Sequence, residues 1–364
     1  MNKIKILKFL DNTIGKQAVS LCRLFRHKKA IPEKLSKFLI IRPGGIGDAV
    51  LLLPAIDVIK YKFPDAIIDV LCEKRNHGIF LMKKTINTIY LYDRGVDILR
   101  CLRNEYDVVI DTEQWHRLSA VVAYLTGAPM RIGFSTNERK GLFTHTVPYS
   151  HDEHEVRSFL NLLKPLMGDT SGIKPEPPFM DIPEEFPGHL LPITLKGDDK
   201  IVSICPGATV RERRWGGDKF GAVARNIDDK GYKVLILGGE GDRGDAKKIM
   251  AQAEDCIDLT GRTTLSDVAF LLRLSRLFIG ADSGILHIAY AVGTPTVSLF
   301  GSGIEKKWAP PGEKHIVLNK HLSCSPCTRF GYTPECKRDV ECLKNISVED
   351  VIRAAWIILD SSGL

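Results

Sequence analysis

The sequence predicts an α/β protein of two successive Rossmann-like halves, their parallel sheets facing a central cleft. Three observations carry this. Apolar, β-rich runs alternate with helical patterns, the rhythm of parallel sheets covered on both faces. A length of 364 residues is long for one core and suits two. The rhythm also breaks once, over residues 169–199, where six prolines fall between Pro175 and Pro192, and then restarts. The expected divisions are a basic segment over 1–36, a first half over 37–180, a second over 181–345 and a final helix over 346–364.

The basic segment stands apart by charge. Up to residue 37, Lys3, Lys5, Lys8, Lys16, Arg23, Arg26, Lys28, Lys29, Lys34 and Lys37 face only Asp11 and Glu33, a net +8. The whole chain carries +7, so the remainder is at −1 and the basicity belongs to the segment alone. Ile4, Leu7, Leu10, Ile14, Val19, Leu21, Leu24 and Phe25 are interleaved with these cations. A basic amphipathic helix of this kind reads as an element for an anionic membrane surface, residues 1–36 lying on the inner leaflet. Its alternative is a helix packed on the body with solvated lysines. Nucleic acid is not expected as a partner, because Phe9 and Phe25 are the segment's only aromatics. No run of about 18 apolar residues suggests a membrane span, and no signal peptide is recognised. The nine cysteines are odd in number and partly scattered, which fits a reducing cytoplasm.

In the first half, "KFLIIR" is a strand and a helix follows from about Asp48 to Phe63. "AIIDVLCE", "INTIYLYD" and "YDVVIDTE" are further strands, "RLSAVVAYLTG" a helix and "MRIGF" a short strand. In the second half, "KIVSICPG", "YKVLILGGEGD", "RLFIGADSG" and "TPTVSLFG" read as strands with turns. "WGGDKFGAVARNIDDKG", "RGDAKKIMAQAE", "TTLSDVAFLLRLS" and "ILHIAYAVG" read as helices, with Thr264 and Asp267 in a capping-box relation. Ligands of such sheets sit beyond the carboxyl ends of the strands, so the turns there hold the candidate chemistry.

In "RPGGIGDAV", Gly44, Gly45 and Gly47 let backbone N–H groups approach a ligand at a helix start. A dinucleotide fingerprint would need a small residue where Val50 stands, although Glu73 could serve as its ribose acid. Asp48 is either an acid that suits the helix N-terminus or a carboxylate able to take a proton from a bound hydroxyl. In "CPGATVRERRW", Arg211, Arg213 and Arg214 beside a strand end suggest an anion site. In "GADSGILHIAY", Ser283 and Gly284 open a helix whose N–H groups suit an anion, with Asp282 an acceptor for sugar hydroxyls. His287 is either a donor to the same ligand or a core residue. A phosphate site in one half and a carboxylate in the other are the parts of a nucleotide-sugar transferase.

Taken in order, "IIRPGGIGDAVLLLPAI", "YDVVIDTE", "RIGF", "CPGATVRERRW" and "GADSGILHIAYAVGTPTVSLFG" make the chain, over about residues 37–357, resemble the family-nine glycosyltransferases, the bacterial lipopolysaccharide heptosyltransferases. The resemblance implies a GT-B fold, with "ISVEDVIRAAWIIL" as a C-terminal helix crossing back to the first domain. It implies ADP-heptose as donor, inversion at the anomeric carbon and no required cofactor. The acceptor would be a lipid A-linked core oligosaccharide, placing the enzyme in the cytoplasm at the inner membrane. By the same resemblance Asp48 is the general base, and Arg213 stands where many members have a lysine on the diphosphate. Thr209, Asp282, Ser283, Gly284 and His287 match donor-binding positions, and Glu240 and Thr263 match ribose and adenine contacts. Asp111 to Gln114 reads Asp-Thr-Glu-Gln where the family has Asp-Leu-Gln-Gly. Asp111 and Gln114, with the three glycines, mark the acceptor side.

Cys324, Cys327, Cys336 and Cys342 form a C-x2-C-x8-C-x5-C pattern that could close a structural zinc site or hold an iron–sulfur cluster. Reduced thiols or a local disulfide are the alternatives. The resulting expectation is an inverting heptosyltransferase. Its competitors are a transferase of another nucleotide-sugar, an NAD-dependent oxidoreductase and an inactive carbohydrate-binding protein at a membrane surface.

Overall fold

The computed structural model describes residues 11–24, 29–182 and 200–361 and divides into two compact units, Met1–Pro175 and Glu176–Leu364. Residues 1–10 and 25–28 of the predicted basic segment, the predicted linker residues 183–199 and the last three residues lie outside the described part.

The first unit holds β1 Lys37–Arg42, β2 Ile67–Cys72, β3 Thr88–Leu91, β4 Val108–Asp111, β5 Met130–Phe134 and β6 His145–Val147. They form one parallel sheet in the order β3-β2-β1-β4-β5-β6. β1 and β4 are buried throughout all or nearly all of their length, because helices cover both faces of a parallel sheet. This is why they read as unbroken apolar runs rather than alternating ones. The helix after β1, Ile46–Lys62, buries every residue from Ala49 to Ile56.

The second unit repeats the plan. β7 Ile201–Cys205, β8 Lys233–Ile236, β9 Ile257–Asp258, β10 Leu277–Ala281, β11 Thr296–Leu299 and β12 His315–Leu318 are parallel in the order β12-β11-β10-β7-β8-β9. In each unit the strand order reverses between the first strand and the fourth, at β1/β4 and at β7/β10. A ligand crevice belongs beyond the carboxyl ends of those strands.

Two boundaries differ from the sequence expectation. The division falls at Pro175, earlier than residue 180, because Phe179 is buried in the second unit, edge-on to Tyr290, with its N–H on the Ala291 carbonyl. The final helix, Val348–Ser361, belongs to the second unit. Val351, Ala354, Ala355, Ile358 and Leu359 enter the core made by β7, β10 and β11, which uses up its apolar face. The described part of the basic segment is docked, as the packed alternative expected. Helix Lys16–Leu24 buries Val19 in the first unit's core, and Asp11 accepts the N–H groups of Arg117 and Leu118 at 2.7 and 2.9 Å. Asp11 therefore caps helix Arg117–Leu125 from 106 residues away.

Candidate active site

In the first unit the β1/β4 switch point is built on Arg42, the last residue of β1. Its guanidinium is almost fully buried, and it donates to the carbonyls of Pro43 and Thr112, each at 2.9 Å, and to Glu113 Oε2 at 3.3 Å. Burial disfavours its charge, but the nearby Asp48, Glu113, Glu155 and Asp111 carboxylates outweigh that and raise its pKa. Glu113 mirrors it. Burial pushes its carboxyl up, yet Arg42, His116 and Arg139 hold it below its ordinary range. Glu113 also accepts the N–H groups of Gln114 and Trp115.

Asp48 lies at the edge of this cluster in the first turn of helix Ile46–Lys62. Its Oδ2 is 3.6 Å from Arg42 Nη2, and its side chain is 25% exposed. Among the described residues it accepts no hydrogen bond, and the helix has no side-chain cap. Asp48 thus suits the helix N-terminus without making a capping bond, and the carboxylate keeps lone pairs for a ligand. Gly44 makes the approach feasible. Its φ of +120° suits glycine, and a Cβ there would lie 2.8 Å from Arg42 Nη2. Gly45 sits at the N-cap in extended conformation and Gly47 in the first helical turn.

Of the acceptor-side pair, Asp111 is turned away. It is fully buried, paired with Arg139, and accepts the Glu113 N–H, so it braces the loop from below. Gln114 is also buried. Its Nε2 donates to Glu155 Oε1 at 2.6 Å, and Tyr149 donates to the other oxygen at 3.0 Å. Burial and then the Glu155 and Asp48 charges push the Tyr149 hydroxyl far above its ordinary pKa, so it remains a donor. Sequence reasoning did not find Arg42, Glu155 and Tyr149, and it met Glu113 only as part of the acceptor-side stretch. Only Arg42 left a signal, a cation ending an apolar strand.

In the second unit the β7/β10 switch point brings Arg213 to Asp282. Nη1 and Oδ2 are 2.8 Å apart, and the guanidinium also lies 5.9 Å from the centre of the Trp308 ring. Asp282 is nearly buried, and a Cβ at Gly303 would come within 2.1 Å of its Oδ2, so the carboxylate has one place to sit. His287 is buried with Nε2 4.0 Å from Asp282 Oδ1. Ser283 is the N-cap of helix Gly284–Ala291 but makes no capping bond, which leaves the first amides of that helix for a ligand.

The expected three-arginine anion site is narrower than the sequence suggested. Arg214 is committed to Asp242 at 2.8 Å, Asp245 at 3.4 Å and the Ala208 carbonyl at 2.9 Å, so it ties the β7 turn to the β8 turn. Arg211 is exposed, and only Arg213 reaches the switch point. Thr209 is exposed in the same turn. Glu240 follows β8 with a largely exposed side chain, 3.8 Å from Arg243. Gly261 backs it closely: a Cβ there would lie 3.0 Å from Glu240 Cα. The nearby Thr263 has a buried hydroxyl oxygen with no hydrogen-bond partner among the described residues. An unpaired buried hydroxyl costs free energy that a ligand would recover.

All nine cysteines are free. Cys336 Sγ accepts the N–H groups of Arg338 and Val340 at 3.4 Å, and the Cys327 and Cys342 thiols are raised first by burial, then by neighbouring cysteines. Among the described residues no group of three or more His, Cys, Asp or Glu side chains is arranged to hold a metal ion. No helix among them is long and apolar enough to cross a membrane.

The family model of glycosyltransferase family 9 (heptosyltransferase) matches residues 96–337. Lipopolysaccharide heptosyltransferase 3 of Escherichia coli (strain K12) is 30% identical over 341 residues, covering 86% of this chain and 95% of that protein. Among solved structures, a family 9 glycosyltransferase from Veillonella parvula DSM 2008 superposes with a TM-score of 0.74 at 21% identity, covering 91% of this chain and all of the other. The E. coli ADP-heptose lipopolysaccharide heptosyltransferase II does so with 0.69 at 22% identity, covering 90% and 100%. These likenesses show the fold, two Rossmann-like units of the GT-B class.

Proposed function

The chain belongs to glycosyltransferase family 9, and on that premise we propose that it transfers a heptose from ADP-heptose to a lipid A-linked core oligosaccharide of lipopolysaccharide at the cytoplasmic face of the inner membrane. The observation that carries the reading is the contrast in charge at the two switch points. One presents a carboxylate with free lone pairs; the other presents a guanidinium and a helix N-terminus.

The second unit takes the donor. The amides at Gly284 and the Arg213 guanidinium receive the diphosphate, where helix dipole and cation act together. Asp282 and His287 keep Arg213 in place, and Thr263 and Glu240 lie where the nucleoside would be read. The first unit takes the acceptor. Asp48 Oδ accepts the proton of an acceptor hydroxyl as its oxygen bonds to the anomeric carbon. The bond from that carbon to the diphosphate oxygen breaks, its electron pair leaves with ADP, and attack from the far side inverts the centre. The exchange is redox-neutral. Arg213 meets the charge that grows on the leaving group, and Arg42 faces the carboxylate that gains the proton.

The oxidoreductase alternative is overturned by the family, and Val50 fits that outcome: it is fully buried in the helix behind the glycine turn, where a fingerprint needs a small residue. To test donor and reaction class, ADP-heptose and UDP-N-acetylglucosamine are each incubated with a deacylated core acceptor, and product is read by mass. A mass gain of one heptose from ADP-heptose alone supports the proposal. Transfer from the UDP-sugar would keep the fold and replace the donor. No transfer, with ADP still bound, would favour the inactive binding protein.

A further inference from the structure

We propose that the outward side of helix Lys16–Leu24 is a docking face for an anionic lipid surface. The helix is held to the first unit by one side only. Val19 sits in a core cluster with Leu39, Ile41 and Val109 of the sheet and with Ala120 and Ala123 of the neighbouring helix. Arg23 lies against Gly141 so closely that a Cβ there would meet its Nε at 2.1 Å, and Asp11 is spent on capping. These contacts fix which side of the helix faces away.

That side is apolar. Ile14, Leu21 and Leu24 are 52%, 59% and 77% exposed, and with Gln17 they fall on the side opposite Val19 at three- and four-residue spacings. Single exposed leucines need no explanation, but a stripe on an anchored helix does. Ile31, shortly after it, is 48% exposed.

Charge decides the occupant. Lys16, Arg23, Lys29 and Lys34 are exposed, and the sequence from 1 to 37 carries the net +8. A second copy docking on the same face would set like charges against each other. An anionic leaflet answers both features, taking the leucines at its acyl boundary and the cations among its headgroups. Ile14, Leu21 and Leu24 are not residues of the first unit's switch point, so the face bears on where the enzyme works rather than on what it does.

The test uses the full chain in co-sedimentation with phosphatidylethanolamine–phosphatidylglycerol vesicles, with phosphatidylcholine vesicles as the uncharged comparison. Wild type is expected to bind the anionic vesicles and to lose binding as salt is raised. Leu21→Glu/Leu24→Glu should lower that partition by roughly tenfold or more, with an unchanged melting temperature and unchanged turnover of a deacylated, soluble acceptor. Leu99→Glu serves as a control, since Leu99 is exposed on helix Gly95–Leu102 where acids and bases balance; it should leave binding in place. Equal binding to neutral vesicles, an equal loss in the control, or no loss in the double variant would each overturn the proposal. So would a double variant that turns a dimer into a monomer in sedimentation while vesicle binding persists. Turnover of the soluble acceptor reports on the transferase reading separately.

Discussion

The two units share one strand order and one kind of crevice, yet they fill it oppositely. At β1/β4, four carboxylates (Asp48, Asp111, Glu113 and Glu155) surround Arg42, and all but Asp48 are buried. At β7/β10 each carboxylate named has its own cation, Asp282 with Arg213 and Asp242 with Arg214, and the mouth offers helix amides and the Arg213 guanidinium. The fold sets where a ligand goes, and the residues following the first and fourth strands set which charge it meets. One scaffold can therefore supply a base in one unit and an anion site in the other. Disturbing either side should have a separable signature.

The largest effect on stability is expected at Arg42. Arg42→Met strands Glu113 and Asp48 beside an apolar group and should cost the first unit about 3–5 kcal/mol. Chemical denaturation followed by Trp115, the first unit's tryptophan, reads this, and a variant as stable as wild type would mean the cluster is not held by its cation. At the opposite site, Arg213→Lys keeps charge but loses the fork. It should lower kcat/KM by about 10–100-fold, and Arg213→Met by about 100–1,000-fold, with donor KM rising in both. If steady-state kinetics gave no difference between the two variants, the geometry of the fork rather than the charge would be the operative property.

A smaller contrast concerns pH. His315, on β12 of the second unit, is lowered to about 4 by burial and then by Lys314. Its folded pKa is below the unfolded value, so it contributes stability at neutral pH. That contribution falls as pH drops from about 6.5 toward 4 and is worth up to about 3 kcal/mol. In His315→Gln, thermal melts from pH 7.5 to 4.5 should lose that part of the pH slope; an unchanged slope would place the responsible proton elsewhere. The smallest effect is expected from Gly44→Ala, about 1–3 kcal/mol from its positive φ and its contact with Arg42. Melting temperatures would show it, and a neutral result would mean the turn relaxes freely.

The sequence makes plain what is local. Glycine turns, buried strands and the Thr264–Asp267 capping box all appear in the fold, the last with N–H bonds of 3.2 and 2.8 Å. Of the basic segment's two expected alternatives, the described helix Lys16–Leu24 shows the packed one, docked through Val19 with Leu21 and Leu24 exposed. What the sequence hides is pairing across distance. Arg214 meets Asp242 and Asp245, Arg42 meets Glu113, and Asp111 meets Arg139, partners 28 to 71 residues apart. Three adjacent arginines look equivalent in a string, but the strand end points only Arg213 at the crevice. Asp111 likewise follows the acceptor-side motif while its pleat turns it inward.

The central claim rests on Asp48, and the most direct measurement is kcat of Asp48→Asn beside its calorimetric affinity for ADP. The account predicts a loss of about 100–10,000-fold in kcat, as removal of a general base requires. It predicts an ADP affinity within about twofold of wild type, because the nucleotide belongs to the other unit. Turnover within about tenfold of wild type would contradict it, and the proton would have to leave by another group.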